Sequence, residues 1–243
     1  MKIAVISDIH GNMQALEAVM NDIKEQNCDK VFALGDYAMA GPEPGKCVEW
    51  FMSKNFIMIQ GNTDLMIAGY SADVYNIVKN AAPVMAESLK NDVVELSAEQ
   101  KSFLKNLPPQ LEVEEEGVKF LLVHGSPKRN NEDILPNLTL DKVEEMLEGV
   151  DADVVLCGHT HLPCGYQTTK GQTVVNAGSV GRPFTEKPKS CYLVITIENG
   201  KCLFEHRLVD YDREKASEIL KNRGFAGSEK LAGTLINPQE RHF

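Results

Sequence analysis

The chain lacks the marks of several large protein classes. No two of its six cysteines (Cys28, Cys47, Cys157, Cys164, Cys191 and Cys202) stand in C-x-x-C spacing. That removes the usual signature of a zinc ribbon or a dithiol redox site and leaves small apolar residues suited to a reducing compartment. No apolar run approaches the roughly 18 residues of a membrane span. The N-terminal run 3–6 is broken by Asp8 before it could serve as a secretory core. A cytoplasmic protein without a membrane partner is expected. Positive charge is also short, with 25 Lys and Arg against 35 Asp and Glu and a net charge of −10. A nucleic-acid backbone normally meets a basic stripe that displaces its counterions, so it is not an expected partner. A small phosphorylated or nucleotide-like substrate remains compatible if a local cation offsets the field. Homo-oligomerisation is left open.

What is present reads as ordinary globular protein, since 43% of 243 residues are apolar and 25% are charged. Residues 2–6 form a β-branched apolar run, and 13–24 carry Met13, Leu16, Val19, Met20 and Ile23 at helical spacing. The alternation repeats, with strands over 30–34 and 55–59 around a helical 47–54, which predicts a parallel sheet with right-handed crossovers. Between 64 and 107 no strand pattern appears, and Ser97 with Gln100 makes a capping box. This stretch is expected to be a helical lid insertion. A hairpin over 110–115 and 118–123, a helix over 141–147 and a strand over 153–157 follow. The stretches 165–169, 172–176, 190–197 and 201–209 are separated by turns such as Asn199-Gly200, and predict a second, antiparallel or mixed sheet. Asp212 can cap a last helix ending near Gly224. One α/β domain over 1–225 and a polar tail over 226–243 are expected.

Residues with metal-binding side chains recur where these strands end. They are Asp8 and His10, Asp36 after Gly35, Asn62 in Gly61-Asn62-Thr63-Asp64, His124, and His159 with His161 in Gly158-His159-Thr160-His161. The carboxyl ends of parallel strands form the ligand crevice of an open α/β sheet, so the seven are expected along one sheet edge. Residues i and i+2 leaving a strand face the same side, which lets Asp8 and His10 share an ion. His159 and His161 lie roughly 6.5 Å apart along an extended chain and could serve two ions. The set contains no thiolate, which favours hard or borderline ions.

This ordered series, D-x-H, G-D, G-N-x-D, a lone histidine and G-H-x-H, resembles the calcineurin-like metallophosphoesterase superfamily from Asp8 to about Pro183. Within it the chain is most similar to a small prokaryotic phosphodiesterase branch, which carries a stretch like 176–181. The resemblance implies a four-layer α/β/β/α sandwich and a dimetal phosphoesterase, phosphodiesters favoured, in which a metal-bridging hydroxide attacks phosphorus. It implies Asp8, His10, Asp36 and His161 on one metal, and Asp36, Asn62, His124 and His159 on the other. Mn²⁺ is the first expectation, with Fe, Zn or Ni as alternatives. Two divalent cations set against Asp8, Asp36 and one hydroxide leave a charge of about +1, which suits a phosphate anion. Asp36, Asn62 and His124 are the expected catalytic residues, and Asn62 with Arg182 the expected substrate contacts. The superfamily also includes a binding scaffold without catalysis, which is the alternative function.

One position departs from the pattern. Thr63 stands where many members carry a histidine that protonates the leaving group, and a threonine hydroxyl cannot do so near neutral pH. Good leaving groups or diesters are therefore expected, with Asp64 left without its usual partner. Two other motifs fail. Residues 41–47 imitate a phosphate loop but have three residues between glycines and Cys47 for Ser or Thr, and 177–181 lack the first glycine of a G-x-S-x-G elbow.

Overall fold

The computed structural model describes residues 1–238. The chain opens with β1 (Lys2–Ile6), α1 (Met13–Glu25), β2 (Lys30–Ala33), α2 (Pro44–Met52) and β3 (Ile57–Met58). Four helices follow without a strand: α3 (Asn62–Ala68), α4 (Ala72–Ala81), α5 (Pro83–Glu95) and α6 (Ala98–Asn106). Then come β4 (Gln110–Glu115), β5 (Val118–Val123), α7 (Leu140–Met146), β6 (Val154–Cys157), β7 (Cys164–Gln167) and β8 (Thr173–Asn176). The chain continues through β9 (Ser190–Glu198), β10 (Lys201–Val209), α8 (Arg213–Asn222) and α9 (Ser228–Ile236). Local chemistry explains the boundaries. Asn12 accepts from the Ala15 amide to start α1, Ser97 and Gln100 close the capping box of α6, and Pro44 and Pro83 stand where α2 and α5 begin.

The strands make two five-stranded sheets, ordered β10-β9-β1-β2-β3 and β4-β5-β6-β8-β7. In the first, β1, β2 and β3 are parallel and β9 runs antiparallel to β1, pairing Ile3 with Ile195. In the second, β5, β6 and β8 are parallel, with β4 and β7 antiparallel at the edges. The four stretches expected to share a second sheet therefore divide. β7 and β8 stay with β6, whereas β9 and β10 return to the first sheet. The physical reason is burial on both faces: β9 supplies Leu193, Ile195 and Ile197 to the space between the sheets and Tyr192 and Val194 to the opposite face.

Side-chain alternation defines the layers. Ile3 and Val5 of β1 pack between the sheets with Phe120 and Leu122 of β5 and Val154 and Leu156 of β6. Ala4 and Ile6 face outward onto helices, including Leu16 and Val19 of α1, while Leu121, Val123 and Val155 face α7 through Val143. This is the four-layer α/β/β/α sandwich. Phe32 and Phe120 meet edge-on across the middle layer, with centroids 6.1 Å apart. Residues 228–236, read from sequence as part of a polar tail, instead form α9, which buries Leu231, Ala232 and Leu235 in the helical layer. Three apolar residues at helical spacing outweigh the glycines around them. The tail positions 239–243, with His242, lie outside the described residues. Among the described residues no helix is long and apolar enough to cross a membrane.

One polar network binds the helical insertion to the carboxyl-terminal helices. Arg223, which ends α8, donates to the Gly41 carbonyl at 2.7 Å and to Asn91, Asp92 and Glu95 of α5 at 2.6, 2.6 and 2.7 Å. Asp92 is fully buried; burial lifts its carboxyl to about 6, against the pull of Arg223. Its other oxygen accepts from the Met39 amide at 2.7 Å. Removing the guanidinium strands a buried carboxylate, so Arg223→Met should lower the unfolding free energy by about 3–5 kcal/mol in a urea titration. A loss below about 1 kcal/mol would show a solvent-screened pair instead.

Candidate metal centre

The parallel strands of both sheets end at one side of the sandwich. Asp8 and His10 follow β1, Asp36 follows β2, and Asn62 opens α3 soon after β3; His124 follows β5, and His159 and His161 follow β6. The seven were expected on one sheet edge and come instead from two, four residues from the first sheet and three histidines from the second. Direct bonds join the halves. His124 Nδ1 lies 2.7 Å from the Leu34 carbonyl, and the His159 amide donates to Asp8 Oδ2 at 3.0 Å.

The loops that deliver these side chains are strained. Asp8, His10, Asp36, His159 and His161 all have left-handed φ, from 48° to 66°, a conformation costing about 1–3 kcal/mol for each non-glycine residue. Neighbouring loops hold it in place. The Asp8 amide donates to Gly35 O at 3.1 Å, His10 to Asp36 O at 2.9 Å, and Gly181 to Asp8 O at 2.9 Å. Close approach explains two glycines, because a Cβ at Gly61 would lie 2.1 Å from Asp36 Oδ1 and one at Gly158 would lie 2.0 Å from Ser7 Oγ.

The hydrogen bonds assign the imidazole protons. Nδ1 of His10, His124 and His161 lies 2.9, 2.7 and 2.5 Å from the carbonyls of Met39, Leu34 and Arg182. A carbonyl only accepts, so each Nδ1 donates, and in a neutral ring the lone pair is left on Nε2. Those Nε2 atoms converge. His10 and His161 face each other at 3.1 Å, with Asp8 Oδ1 3.2 Å from His161. His124 Nε2 is 3.0 Å from Asn62 Oδ1 and 3.4 Å from Asp36 Oδ2, which is itself 3.6 Å from His10 Nε2. Asp8 Oδ1 is buried with no hydrogen-bond donor on it. Lone pairs and carboxylates packed this closely repel one another unless a cation lies among them, and the nitrogen and oxygen donors suit a divalent ion.

The electrostatics agree. Burial opposes ionisation of Asp36, yet His124 outweighs it and holds the carboxyl near 2; Asp8 is driven lower still, chiefly by His161 against burial. Burial and His161 push His10 down to about 4, so its ring is neutral. Against burial, Asp36 and Asp8 raise His124 to about 10, so its Nε2 also holds a proton until a cation displaces it. Two groups of ligand atoms lie within 4.8 Å of one another, Asp8 with His10 and His161, and Asp8 with Asp36 and His124. Asp8 thus belongs to both, while Asp36 touches histidines of both. Among the described residues His159 falls outside these groups; its ring packs edge-on against His124 at 5.3 Å and its Nε2 is 3.4 Å from Asp133. It nevertheless lines the same cavity of about 400 Å³ as His10, Asp36, Asn62 and His161.

The structure adds supporting contacts around the ligands. Asp64, expected to lack its usual histidine partner at 63, accepts from the amides of Asp36, Tyr37 and Gly61 at 2.8, 3.0 and 2.9 Å, and so clamps the loop after β2 to the start of α3. Burial and Asp36 lift its carboxyl to about 7. The Thr63 amide donates to Asp36 Oδ1 at 2.9 Å, and its hydroxyl donates to the Ala38 carbonyl at 3.3 Å. Asn176 donates to Gly158 O and Thr160 Oγ1 at 2.6 and 3.0 Å, so 176–181 braces the turn that presents His159 and His161. Asp133 and Phe184 also escaped sequence reading. Phe184 stacks on His161 at 4.5 Å and 12°, and an aromatic two residues past Arg182 was its only signal.

Known proteins share this arrangement of elements. A model of the calcineurin-like phosphoesterase superfamily domain matches residues 1–200. An uncharacterized protein of Methanocaldococcus jannaschii is 32% identical over 237 residues, covering 91% of this chain and 93% of its own. A hypothetical protein of Pyrococcus horikoshii superposes with a TM-score of 0.85 at 22% identity, over 99% of each chain. A metallophosphoesterase from Sphaerobacter thermophilus does so with 0.78 at 24% identity, over 98% of this chain and 99% of that one. At those identities the two structures speak for the fold alone. The matched domain runs from β1 through β9 and contains all seven residues of the centre, and the chain belongs to the calcineurin-like phosphoesterase superfamily.

Proposed function

We propose that this protein hydrolyses small phosphorylated or nucleotide-like substrates at a centre holding two divalent cations, manganese in the first instance, and that it favours phosphodiesters over alkyl monoesters. The observation that carries the reading is the convergence of three Nε2 atoms, their protons committed on Nδ1, upon two buried carboxylates. Asp8, His10 and His161 would hold one cation, and His124, Asn62 and His159 the other, with Asp36 between them. Divalent cations in such a centre supply Lewis acidity and activate water as the nucleophile. Arg182, buried in the cavity wall without a carboxylate partner among the described residues, would bind the phosphoryl oxygens. Asp64 fixes Asp36 through the main chain. The preference for diesters rests on Thr63, whose hydroxyl is bonded to Ala38 and supplies no acid for an alkoxide leaving group. The helices of 64–107 would shape access, and the free cysteines suit a cytoplasmic setting.

Metal-stripped protein should take up two Mn²⁺ per chain, and Mn²⁺ at about one hundred times its Kd should add about 2.7 kcal/mol per site to the unfolding free energy. Asp36→Asn should abolish most of that gain and reduce kcat on bis(p-nitrophenyl) phosphate by about 10²–10³. Two bound ions without hydrolysis of any ester would instead favour the scaffold function. Thr63→His should raise turnover of alkyl monoesters by about 10²-fold, with little change for diesters of good leaving groups. An unchanged or lower monoester rate would refute the assignment of diester preference to residue 63.

A further inference from the structure

The cavity over the metal centre continues past its ligands. A second hollow of about 430 Å³ shares Ala82, Met85, Arg182 and Phe184 with the first and is also lined by Lys230, Leu231 and Thr234 of α9. Helix α9 lies beyond residues 1–200 matched by the superfamily domain, so this wall belongs to a part of the chain that the shared catalytic fold does not supply.

Arg182 stands between the two hollows. It is 7% exposed, and its Nε is buried with no hydrogen-bond partner. Its main chain is fixed on both sides: the amide donates to Ser179 Oγ at 2.9 Å and the carbonyl accepts from His161 Nδ1 at 2.5 Å. Nη1 meets only the Met85 sulfur at 3.6 Å, and the guanidinium carbon lies 5.7 Å from the Phe184 ring. A buried guanidinium without a counterion is costly, and an anionic ligand offsets that cost. The hollow beyond it is mixed in character. Met85, Phe184 and Leu231 offer apolar surface, while Thr234, whose hydroxyl donates to the Leu231 carbonyl and can still accept, and the exposed Lys230 add polar groups. Inorganic phosphate would leave the apolar walls wet, and an alkyl chain would leave the polar groups unmatched. A heteroaromatic ring has apolar faces and hydrogen-bonding edges and matches both. The volume falls within the roughly 300–1,000 Å³ of sites that accept drug-sized ligands.

We propose that this hollow is a nucleoside subsite, in which α9 and the α4–α5 junction hold the base of a nucleotide whose phosphate lies on Arg182 and the metal centre. The assignment rests on the phosphoesterase reading above and adds its substrate class. Helix α9 then selects what the centre acts on, which gives the carboxyl-terminal segment a role beyond packing.

Calorimetric titration of the full-length, Mn²⁺-loaded protein with inorganic phosphate and with adenosine 5′-monophosphate tests it. The nucleotide should bind about tenfold tighter than phosphate or better, the gain expected from burying one apolar ring. Thr234→Trp and Ala81→Trp fill the hollow from two different helices, α9 and α4, and each should bring the ratio of the two affinities to within about twofold of one. Cooperative thermal unfolding of either variant establishes that filling rather than misfolding removed the preference. A nucleotide that binds no tighter than phosphate, or a preference that survives both substitutions, overturns the subsite and leaves the phosphoesterase reading standing. A protein that neither binds phosphate nor hydrolyses any ester overturns the phosphoesterase reading itself, and the subsite with it.

Discussion

Three imidazoles pinned through Nδ1 to main-chain carbonyls set the terms for the whole molecule. The carbonyls belong to Leu34 and Met39, both on the loop between β2 and α2, and to Arg182, on the loop between β8 and β9. Once those Nδ1 bonds are made, three Nε2 atoms point into a space that already holds the carboxylates of Asp8 and Asp36. Such a concentration of negative potential is repulsive by itself and becomes favourable around cations, so a cation bound here would also stabilise these loops. Much of the surrounding structure can be understood as what keeps the arrangement from relaxing.

The restraints come from every layer. Five residues of the centre sit in left-handed backbone that only a crowded environment enforces. Asp64 clamps the loop after β2 to α3 with three main-chain bonds. The loop that offers the Met39 carbonyl to His10 is gripped in turn by the helical insertion, where Asp92 accepts from the Met39 amide and Ser88 from the Ala40 amide. Arg223 then links Asp92 and the Gly41 carbonyl to the end of α8. A carboxyl-terminal residue therefore helps to position a histidine near the amino terminus, through groups that carry no chemistry themselves. Rigid support of this kind is what a centre needs when its ligands must stay close against their mutual repulsion.

Much of this was legible in the order of residues. Asp8, His10, Asp36, Asn62, His124, His159 and His161 each follow an apolar run, and strand ends are where such side chains are presented. The helical texture of the insertion was readable from the absence of alternation and from the box at Ser97 and Gln100. The partition of strands was not. β9 and β10 look like their neighbours in sequence, and only the need to cover the exposed side of β1 assigns them to the first sheet. Helix α9 was hidden by Gly227 before it and Gly233 within it, and the burial of Leu231 and Leu235 supplies the stability that propensity does not. The role that Asp64 takes up without a histidine at 63 was not legible, because its partners are main-chain amides, which leave no signature.

By itself the sequence determined which chemistry is available: hard and borderline donors, no thiolate among them, a net negative charge, and strands that present those donors in a fixed order. Tertiary structure alone decided that the donors come from two sheets and meet, that Asp8 contributes to both ligand groups, and that Arg182 is buried beside a hollow lined in part by α9. The reason is that strand position is a local property set by side-chain period, whereas distance between loops depends on which sheet edges stack and on backbone hydrogen bonds that any residue could make.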